Sequence, residues 1–208
     1  MIRTASSNAQ PALEERERIY KMLENYVPKT SYGFPIPARI LNVGCGQCLE
    51  SYGLIDYFGK DPYGTSSKNT ELIGIDLDRK SLIKAREING NSEFIRMDAR
   101  TMDKYFNCKF DVVMTRHSNV YFDTDRWRKI YEKILFLLNS GGILIITNFE
   151  QREFRSSVEI IEDLGYKVKV KEKNLFYEER NIPGIFGGVF MIISRISKDD
   201  WIIIAEKA

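Results

Sequence analysis

The chain has 208 residues, of which 43% are hydrophobic and 29% charged, and its formal net charge at pH 7 is +2. That length suits one domain with a sizeable core, and the small net charge gives no global basic field for nucleic acid. The longest apolar runs are too short to cross a bilayer, and the polar N-terminus predicts no signal peptide. Three cysteines cannot build a disulfide framework, so we expect reduced thiols and a cytoplasmic protein.

The N-terminal part of the chain predicts one helix followed by a loop. Residues 11–27 place apolar side chains roughly on one face of a helix, with Pro11 near its first turn. Residues 30–38 hold two prolines and a glycine among aromatic side chains, so they predict a loop.

From Arg39 onward, short apolar runs alternate with helical segments. Strands are predicted at 39–43, 71–76, 93–97, 110–115 and 141–149, and helices at 48–58, 79–89, 123–139 and 155–165. Strands with two apolar faces, joined by helices, indicate a parallel sheet that is covered on both sides. The fold class is therefore α/β, and we expect a doubly wound, mostly parallel, seven-stranded Rossmann-like sheet.

The C-terminal part predicts strands of a different kind. Residues 165–174 alternate lysine with valine, which is typical of an edge strand with one solvated face. Residues 187–196 and 199–208 predict two further strands, joined by a polar turn at 197–200. We expect these two strands to form an antiparallel C-terminal hairpin that closes the sheet.

The stretch NVGCGQC, residues 42–48, follows the first predicted strand and has two interpretations. Its Cys45-x-x-Cys48 spacing is that of a redox dithiol. A thioredoxin-like fold also needs a cis-proline facing the dithiol, and neither Pro62 nor Pro183 precedes a plausible partner strand. Three cysteines and one histidine at these spacings give no second ligand pair, so no metal site is predicted.

The alternative is a loop that holds a nucleotide-type ligand. Gly44 and Gly46 stand between a strand and a helix, where glycine lets a ligand approach the backbone. Leu49 occupies the place of the third glycine in a dinucleotide fingerprint, which disfavours NAD. Asp76 ends the next strand and can accept both hydroxyls of a ribose, while Asp98 follows the strand after it and can accept from an adenine amino group. Because the carboxyl ends of parallel strands share one edge, we expect these groups at one site.

In these segments the sequence resembles the class I S-adenosylmethionine-dependent methyltransferases. ILNVGCGQC is similar to their first motif, LIGIDLD to the second, FIRMDAR to the third and FDVVMTRHS to the fourth. LLNSGGILIIT is similar to the turn before their fifth strand. The resemblance runs in order over residues 39–149, with three departures: Asn42 replaces an acid, Cys48 the third glycine and Ser140 a proline.

The resemblance implies S-adenosylmethionine as the cofactor and methyl transfer as the reaction. It implies that the methionine part lies over residues 44–48, that Asp76 holds the ribose, and that Asp98 and the Ala99 amide bind the adenine. Asn42 is expected to accept a hydrogen bond from the methionine ammonium. The expected cofactor-binding residues are Asn42, Gly44, Cys45, Gly46, Cys48, Asp76, Leu77, Asp98, Ala99, Thr115 and Arg116.

The residues after the fourth strand are expected to border the reacting atoms. The resemblance places Thr115 and Arg116 beside the sulfonium and the substrate. His117, the sole histidine, is the candidate general base, and its alternative role is that of a loop histidine that hydrogen-bonds to backbone. The candidate substrate contacts are Tyr32, Tyr121 and Glu150.

The resemblance further implies that residues 1–37 cap the site and that residues 38–208 form the methyltransferase domain. The fourth motif lacks the Asn/Asp-Pro-Pro-Tyr type of sequence, and no nucleic-acid module is appended, so a small-molecule acceptor is expected. RNA and protein acceptors are the alternatives, and no membrane partner is expected. Two rival hypotheses remain. One is a cofactor-binding domain with little turnover that serves as a partner or regulatory module, and the other is an NAD-dependent oxidoreductase. The oligomeric state is not readable from the sequence.

Overall fold

The computed structural model of the protein describes residues 9–28, 37–60, 70–176, 178–186 and 189–207. Helices in these ranges are α1 (Ala9–Tyr26), α2 (Ser51–Phe58), α3 (Arg79–Ile88), α4 (Met102–Tyr105), α5 (Thr124–Leu137) and α6 (Gln151–Asp163). Strands are β1 (Arg39–Val43), β2 (Glu71–Asp76), β3 (Glu93–Arg96), β4 (Phe110–Arg116), β5 (Leu138–Asn148), β6 (Tyr166–Lys173), β7 (Glu178–Phe186), β8 (Val189–Lys198) and β9 (Trp201–Lys207). None of the helices that the structure describes is long and apolar enough to span a bilayer.

Aspartates in the segments between strands and helices begin two of the helices. The Asp78 carboxylate accepts hydrogen bonds from the backbone N–H groups of Lys80 and Ser81, at 3.0 and 3.3 Å. Asp123 accepts from the Arg126 N–H at 3.1 Å and starts α5 in the same way. These are N-caps, which satisfy backbone donors that the helix leaves unpaired. Strand ends and helix starts therefore share one rim of the sheet.

Seven strands form the main sheet, in the order β3-β2-β1-β4-β5-β9-β6. The pairs from β3 to β5 are parallel, and β9 pairs antiparallel with both β5 and β6. This confirms the predicted α/β fold with a mostly parallel seven-stranded sheet and antiparallel C-terminal strands. The lysine-rich segment forms β6 at the edge of that sheet, as its alternation predicts.

The predicted pairing of the last two strands is wrong. β8 does not pair with β9; it pairs with β7 in a separate two-stranded antiparallel sheet. β9 lies inside the main sheet because Ile202, Ile203, Ile204 and Ala205 are all buried, which requires cover on both faces. The sequence prediction also missed β7 and the short helix α4.

The sheet has an apolar core on each face. One core joins β1 residues such as Ile40 to α1, α2 and α3. The other joins β1 residues such as Leu41 to α4, α5 and α6. Because adjacent residues of one strand point to opposite faces, both sides of the sheet are covered, and the fold is doubly wound.

Helix α1 is fixed to the rest of the molecule at three places. It packs against α2 at Gly53, where an added Cβ would lie 2.9 Å from the Arg16 carbonyl oxygen and from Ile19 Cβ. At its other end the Tyr26 hydroxyl accepts from the Leu175 N–H at 2.9 Å, after β6. A third contact, between Glu15 and Arg116 at 2.5 Å, places the first half of α1 at the end of β4.

Candidate active site

The loop after β1 has an open, glycine-dependent shape. Gly44 and Gly46 have φ of 68° and 53°, a left-handed conformation that favours glycine. The Gly44 and Cys45 N–H groups donate to the Ile75 carbonyl at 2.8 and 3.1 Å, which ties the loop to the end of β2. An added Cβ at Gly44 or Gly46 would meet no atom within 4 Å. The described chain thus leaves space in front of this backbone.

Asp76 links the loop to the neighbouring strand ends. Its Oδ2 accepts from the Gly46 N–H and its Oδ1 from the Asp78 N–H, both at 2.8 Å. Its backbone carbonyl accepts from the Met97 N–H at 3.1 Å, one residue before Asp98. The predicted convergence of the loop, Asp76 and Asp98 on one rim is therefore present. Each Asp76 oxygen keeps a free lone pair for a ligand hydroxyl.

The carboxylate that follows β3, that of Asp98, is already hydrogen-bonded to Arg100. Asp98 accepts from Arg100 Nη2 at 2.5 Å and from the Arg100 N–H at 2.9 Å, and Ala99 opens a single 3-10 turn. The hydrogen bond from the Arg100 side chain lowers the Asp98 pKa, so the group is ionised. Leu77, also expected at the site, is about half exposed on the same rim.

The two cysteines of the loop are buried and are not joined to each other by a disulfide. Cys45 and Cys48 are free thiols, 6% and 1% exposed. The hydrogen bond to Cys45 and burial raise the Cys48 pKa well above its ordinary value, which disfavours the nucleophilic thiolate. Cys48 instead forms part of the turn into α2, where its N–H donates to the Cys45 carbonyl at 2.8 Å. Burial and the raised pKa therefore disfavour the redox interpretation of this spacing.

A cavity of about 350 Å³ lies in front of the loop. It is lined by Glu15, residues 44–50, Arg116 and His117. The wall therefore comes from α1, from the loop after β1 and from the end of β4. Of the predicted residues, the cavity brings together Gly44, Cys45, Gly46, Cys48, Arg116 and His117.

Arg116 lies at the centre of a buried group of charges. Its side chain is 8% exposed and contacts three carboxylates: Glu15 Oε1 at 2.5 Å, Glu50 Oε2 at 2.9 Å and Asp199 Oδ2 at 2.6 Å. Burial opposes the charge on the guanidinium, but Asp199, Glu50 and Glu15 outweigh it and raise the Arg116 pKa. A second guanidinium, that of Arg18, contacts Glu15 at 2.8 Å and Asp199 at 2.5 Å.

Asp199 is the buried centre that the sequence did not reveal. It is 0% exposed, and its carboxylate also accepts from the Thr147 hydroxyl and lies 2.9 Å from His117 Nε2. Burial raises its pKa, but Arg116 and the hydrogen bond from His117 dominate and hold that pKa well below the ordinary value. Its backbone is left-handed, with φ of 56°, a conformation that aspartate tolerates in turns.

Asn42 lies behind the loop and does not line the cavity. It is 0% exposed, and its Nδ2 donates to Glu50 Oε1 at 2.5 Å and to Cys48 Sγ at 3.2 Å. Its Oδ1 is buried and has no hydrogen-bond partner among the described residues. The amide therefore positions Glu50, whose carboxylate reaches the cavity wall.

The remaining predicted residues are dispersed around this rim. Thr115 is fully buried at the end of β4. Tyr121 is half exposed, and the Arg152 guanidinium lies 4.9 Å from the centroid of its ring. Glu150 forms an ion pair with the same arginine, at 2.6 Å. Tyr32 lies outside the described residues. No group of three potential metal ligands occurs in the part of the chain that the structure describes.

The fold is α/β, and the candidate site lies at the carboxyl rim of its parallel strands, where open sheets of this kind bind nucleotide-type ligands. A sequence model of the family described as "Methyltransferase domain" matches residues 37–204. The chain belongs to this methyltransferase family, which confirms the resemblance to class I enzymes. No curated protein sequence gives a significant match.

Solved structures of similar fold include several methyltransferases. A TehB-like SAM-dependent methyltransferase from Corynebacterium glutamicum is 18% identical, with a TM-score of 0.59 over 92% of this chain and 88% of its own. A precorrin-6y C5,15-methyltransferase from Geobacter metallireducens is 16% identical, with a TM-score of 0.59 over 94% of this chain and 87% of its own. A putative methyltransferase from Bacillus halodurans is 13% identical, with a TM-score of 0.61 over 91% of this chain and 98% of its own. At these identities the likeness shows the fold.

The protein is an S-adenosylmethionine-dependent methyltransferase, with S-adenosylmethionine as its methyl donor. The residues present fit this cofactor. The backbone at Gly44 and Gly46 faces open space, the Asp76 carboxylate keeps acceptor capacity, and carboxylates stand on the cavity wall. The expected cofactor is therefore confirmed in place of NAD.

Proposed function

We propose that the protein transfers the methyl group of S-adenosylmethionine to a small-molecule acceptor at the cavity in front of the loop after β1. The observation that carries this proposal is the cavity itself, which α1 borders on one side and the loop of His117 on the other. A site between such elements suits a compact acceptor. RNA and protein acceptors are outcomes that the experiment below separates.

The cofactor-binding roles follow from the positions along the rim. Backbone at Gly44 and Gly46 lies against the methionine part, Asp76 accepts from the ribose hydroxyls, and Asp98 with the Ala99 amide binds the adenine, beside Leu77. When bound, the cofactor supplies an already activated methyl group. The protein's part is then to hold the acceptor in line and to exclude water.

His117 is the proposed general base, and its surroundings fix its orientation. Its ring stacks on Phe149 with centroids 4.1 Å apart, and its Nε2 lies 2.9 Å from Asp199 Oδ1. That contact leaves Nδ1 as the nitrogen available to an acceptor. The contact with Asp199, which two guanidinium groups hold in place, fixes the orientation of the ring.

The N-terminal segment, residues 1–37, is proposed to cap the methyltransferase domain of residues 38–208. Glu15 on α1 lines the cavity, which supports this division of roles. Tyr32, Tyr121 and Glu150 are proposed to contact the acceptor. A cytoplasmic location is proposed because all three cysteines are free thiols.

Transfer of a labelled methyl group tests this function. The protein is incubated with methyl-labelled S-adenosylmethionine and separate fractions of small molecules, RNA and protein from a cell extract. We expect label in the small-molecule fraction. A Gly44→Val variant, which places a side chain in the left-handed loop and in the open space, should abolish transfer. Label that enters only RNA or protein would overturn the proposed acceptor class, and no label in any fraction would contradict turnover of cellular acceptors.

A further inference from the structure

The buried charges beside the cavity do not balance. Among the described residues, the group contains three carboxylates (Glu15, Glu50 and Asp199) and two guanidinium groups (Arg18 and Arg116). The net charge of these five side chains, His117 left out of the count, is −1. Buried charges are costly unless they are paired, so one positive charge is missing at this place.

The three carboxylates are not equally compensated. Glu15 contacts both guanidinium groups, at 2.8 Å to Arg18 and 2.5 Å to Arg116, and Asp199 also contacts both. Glu50 contacts one, Arg116 at 2.9 Å, and it shares that cation with the other two acids. The other Glu50 oxygen accepts from the neutral amide of Asn42. The missing charge is therefore concentrated at Glu50.

Two observations place a cationic group of a ligand at Glu50. Its side chain is 5% exposed and belongs to the cavity wall, next to the loop of Gly44 and Gly46. The neutral amide of Asn42, which donates to the other Glu50 oxygen at 2.5 Å, holds the carboxylate in place there and supplies no charge. An ammonium group, with three N–H donors and one positive charge, matches the charge that Glu50 lacks.

We propose that Glu50 binds the α-ammonium of S-adenosylmethionine, with Asn42 as the positioning residue that aims it. This inference rests on the proposed cofactor site. In this chain the carboxylate therefore comes from the turn before α2, eight residues after the amide at the end of β1. Binding of the ammonium makes the buried group of charges neutral.

The test compares two thioether ligands, neither of which carries the sulfonium charge, that differ in the α-amino group. Binding of S-adenosylhomocysteine and of its analogue without the α-amino group is measured by titration calorimetry. We expect wild-type protein to prefer the amino compound by roughly tenfold or more, since hydrogen bonds between charged groups are stronger than those between neutral groups. Glu50→Gln should lose this preference. Glu132→Gln, an exposed change on α5, should keep it.

A second readout uses wild-type protein and does not depend on the folding of a variant. The side-chain amide group of Asn42 donates a hydrogen bond to Glu50. Its NMR resonances should shift when S-adenosylhomocysteine is added and should not shift when the analogue is added. Equal affinity of wild-type protein for the two compounds, or a preference that persists in Glu50→Gln, would overturn the inference and leave the proposed function intact. Failure of wild-type protein to bind either compound or S-adenosylmethionine would instead contradict the proposed cofactor site.

Discussion

At the scale of single residues, the backbone conformation of His117 limits which substitution can test its role as a general base. Its φ is 52°, a left-handed value that most side chains avoid and that asparagine tolerates. His117→Asn therefore removes the imidazole without adding backbone strain. If His117 is the general base, we expect kcat to fall by about 100-fold or more, while cofactor affinity stays within about twofold. Unchanged kcat would show that the acceptor loses no proton to this residue.

Asp76 is the proposed ribose ligand, and it also accepts a hydrogen bond from the Gly46 N–H. Asp76→Ala should weaken S-adenosylhomocysteine binding by about 1–3 kcal/mol, because charge-assisted hydrogen bonds are lost and the loop is released. Asp78→Ala is the matched control: it removes a helix cap two residues away and should leave affinity almost unchanged. Calorimetric titrations that give equal affinities for the wild type and Asp76→Ala would count against the ribose site.

The sequence predicted the residues of the rim and missed those beneath it. Gly44, Asp76 and Asp98 could be found because each follows an apolar strand, and parallel strands end at one edge. Asp199 could not be found, because its partners Arg116 and Arg18 lie 83 and 181 positions away along the chain. Its local sequence is that of an ordinary polar turn, and its burial depends on tertiary structure.

At the scale of elements, the close packing of α1 on α2 depends on Gly53. An added Cβ there would lie 2.9 Å from backbone and side chain of α1, closer than packed atoms allow. We expect Gly53→Ala to lower the free energy of unfolding by about 1–3 kcal/mol, since the crowding forces the two helices apart. Urea unfolding followed by circular dichroism measures this.

Gly90→Ala serves as the control for that experiment. A Cβ at Gly90 would be 3.5 Å from the Arg86 carbonyl, an ordinary contact, so stability should change little. A Gly53→Ala protein as stable as Gly90→Ala would mean that α1 does not pack on α2 as described.

The C-terminal strands show where local patterns mislead. The short polar turn between β8 and β9 favours a hairpin, yet β9 is buried on both faces and pairs with β5 and β6. The sequence did contain a signal for the true partner of β8. The two residues that separate β7 from β8 are Gly187 and Gly188, a dipeptide typical of two-residue hairpin connections. The choice between these hairpins depends on which strand the core can cover.

At the scale of the whole molecule, the group of charges around Arg116 joins the first helix to the last turn. Asp199→Asn would break the buried contacts of one carboxylate with Arg18 and Arg116, and we expect a loss of roughly 3–5 kcal/mol at pH 7. Asp163→Asn, which breaks an exposed pair with Arg128, should cost less than about 1 kcal/mol. Equal urea midpoints for the two variants would contradict this role of Asp199.

The same group of charges determines how stability depends on pH. The pKa values of Asp199 and Glu15 are both lowered in the folded protein: burial opposes ionisation, and Arg116 outweighs it. Their contribution is present above their unfolded pKa values, about 4, and is lost as the pH falls through the lower folded values. Wild-type stability should therefore decline below about pH 4, and Asp199→Asn should decline less steeply over that range.

The central claim is that the carboxyl ends of β1, β2 and β3 form one binding site for S-adenosylmethionine. Amide NMR spectra recorded during titration with S-adenosylhomocysteine test it most directly. The claim predicts that the Gly44, Gly46, Leu77 and Ala99 resonances shift together and saturate at one ligand per chain. Saturable shifts confined to a surface away from this rim, or no shifts at all, would contradict it.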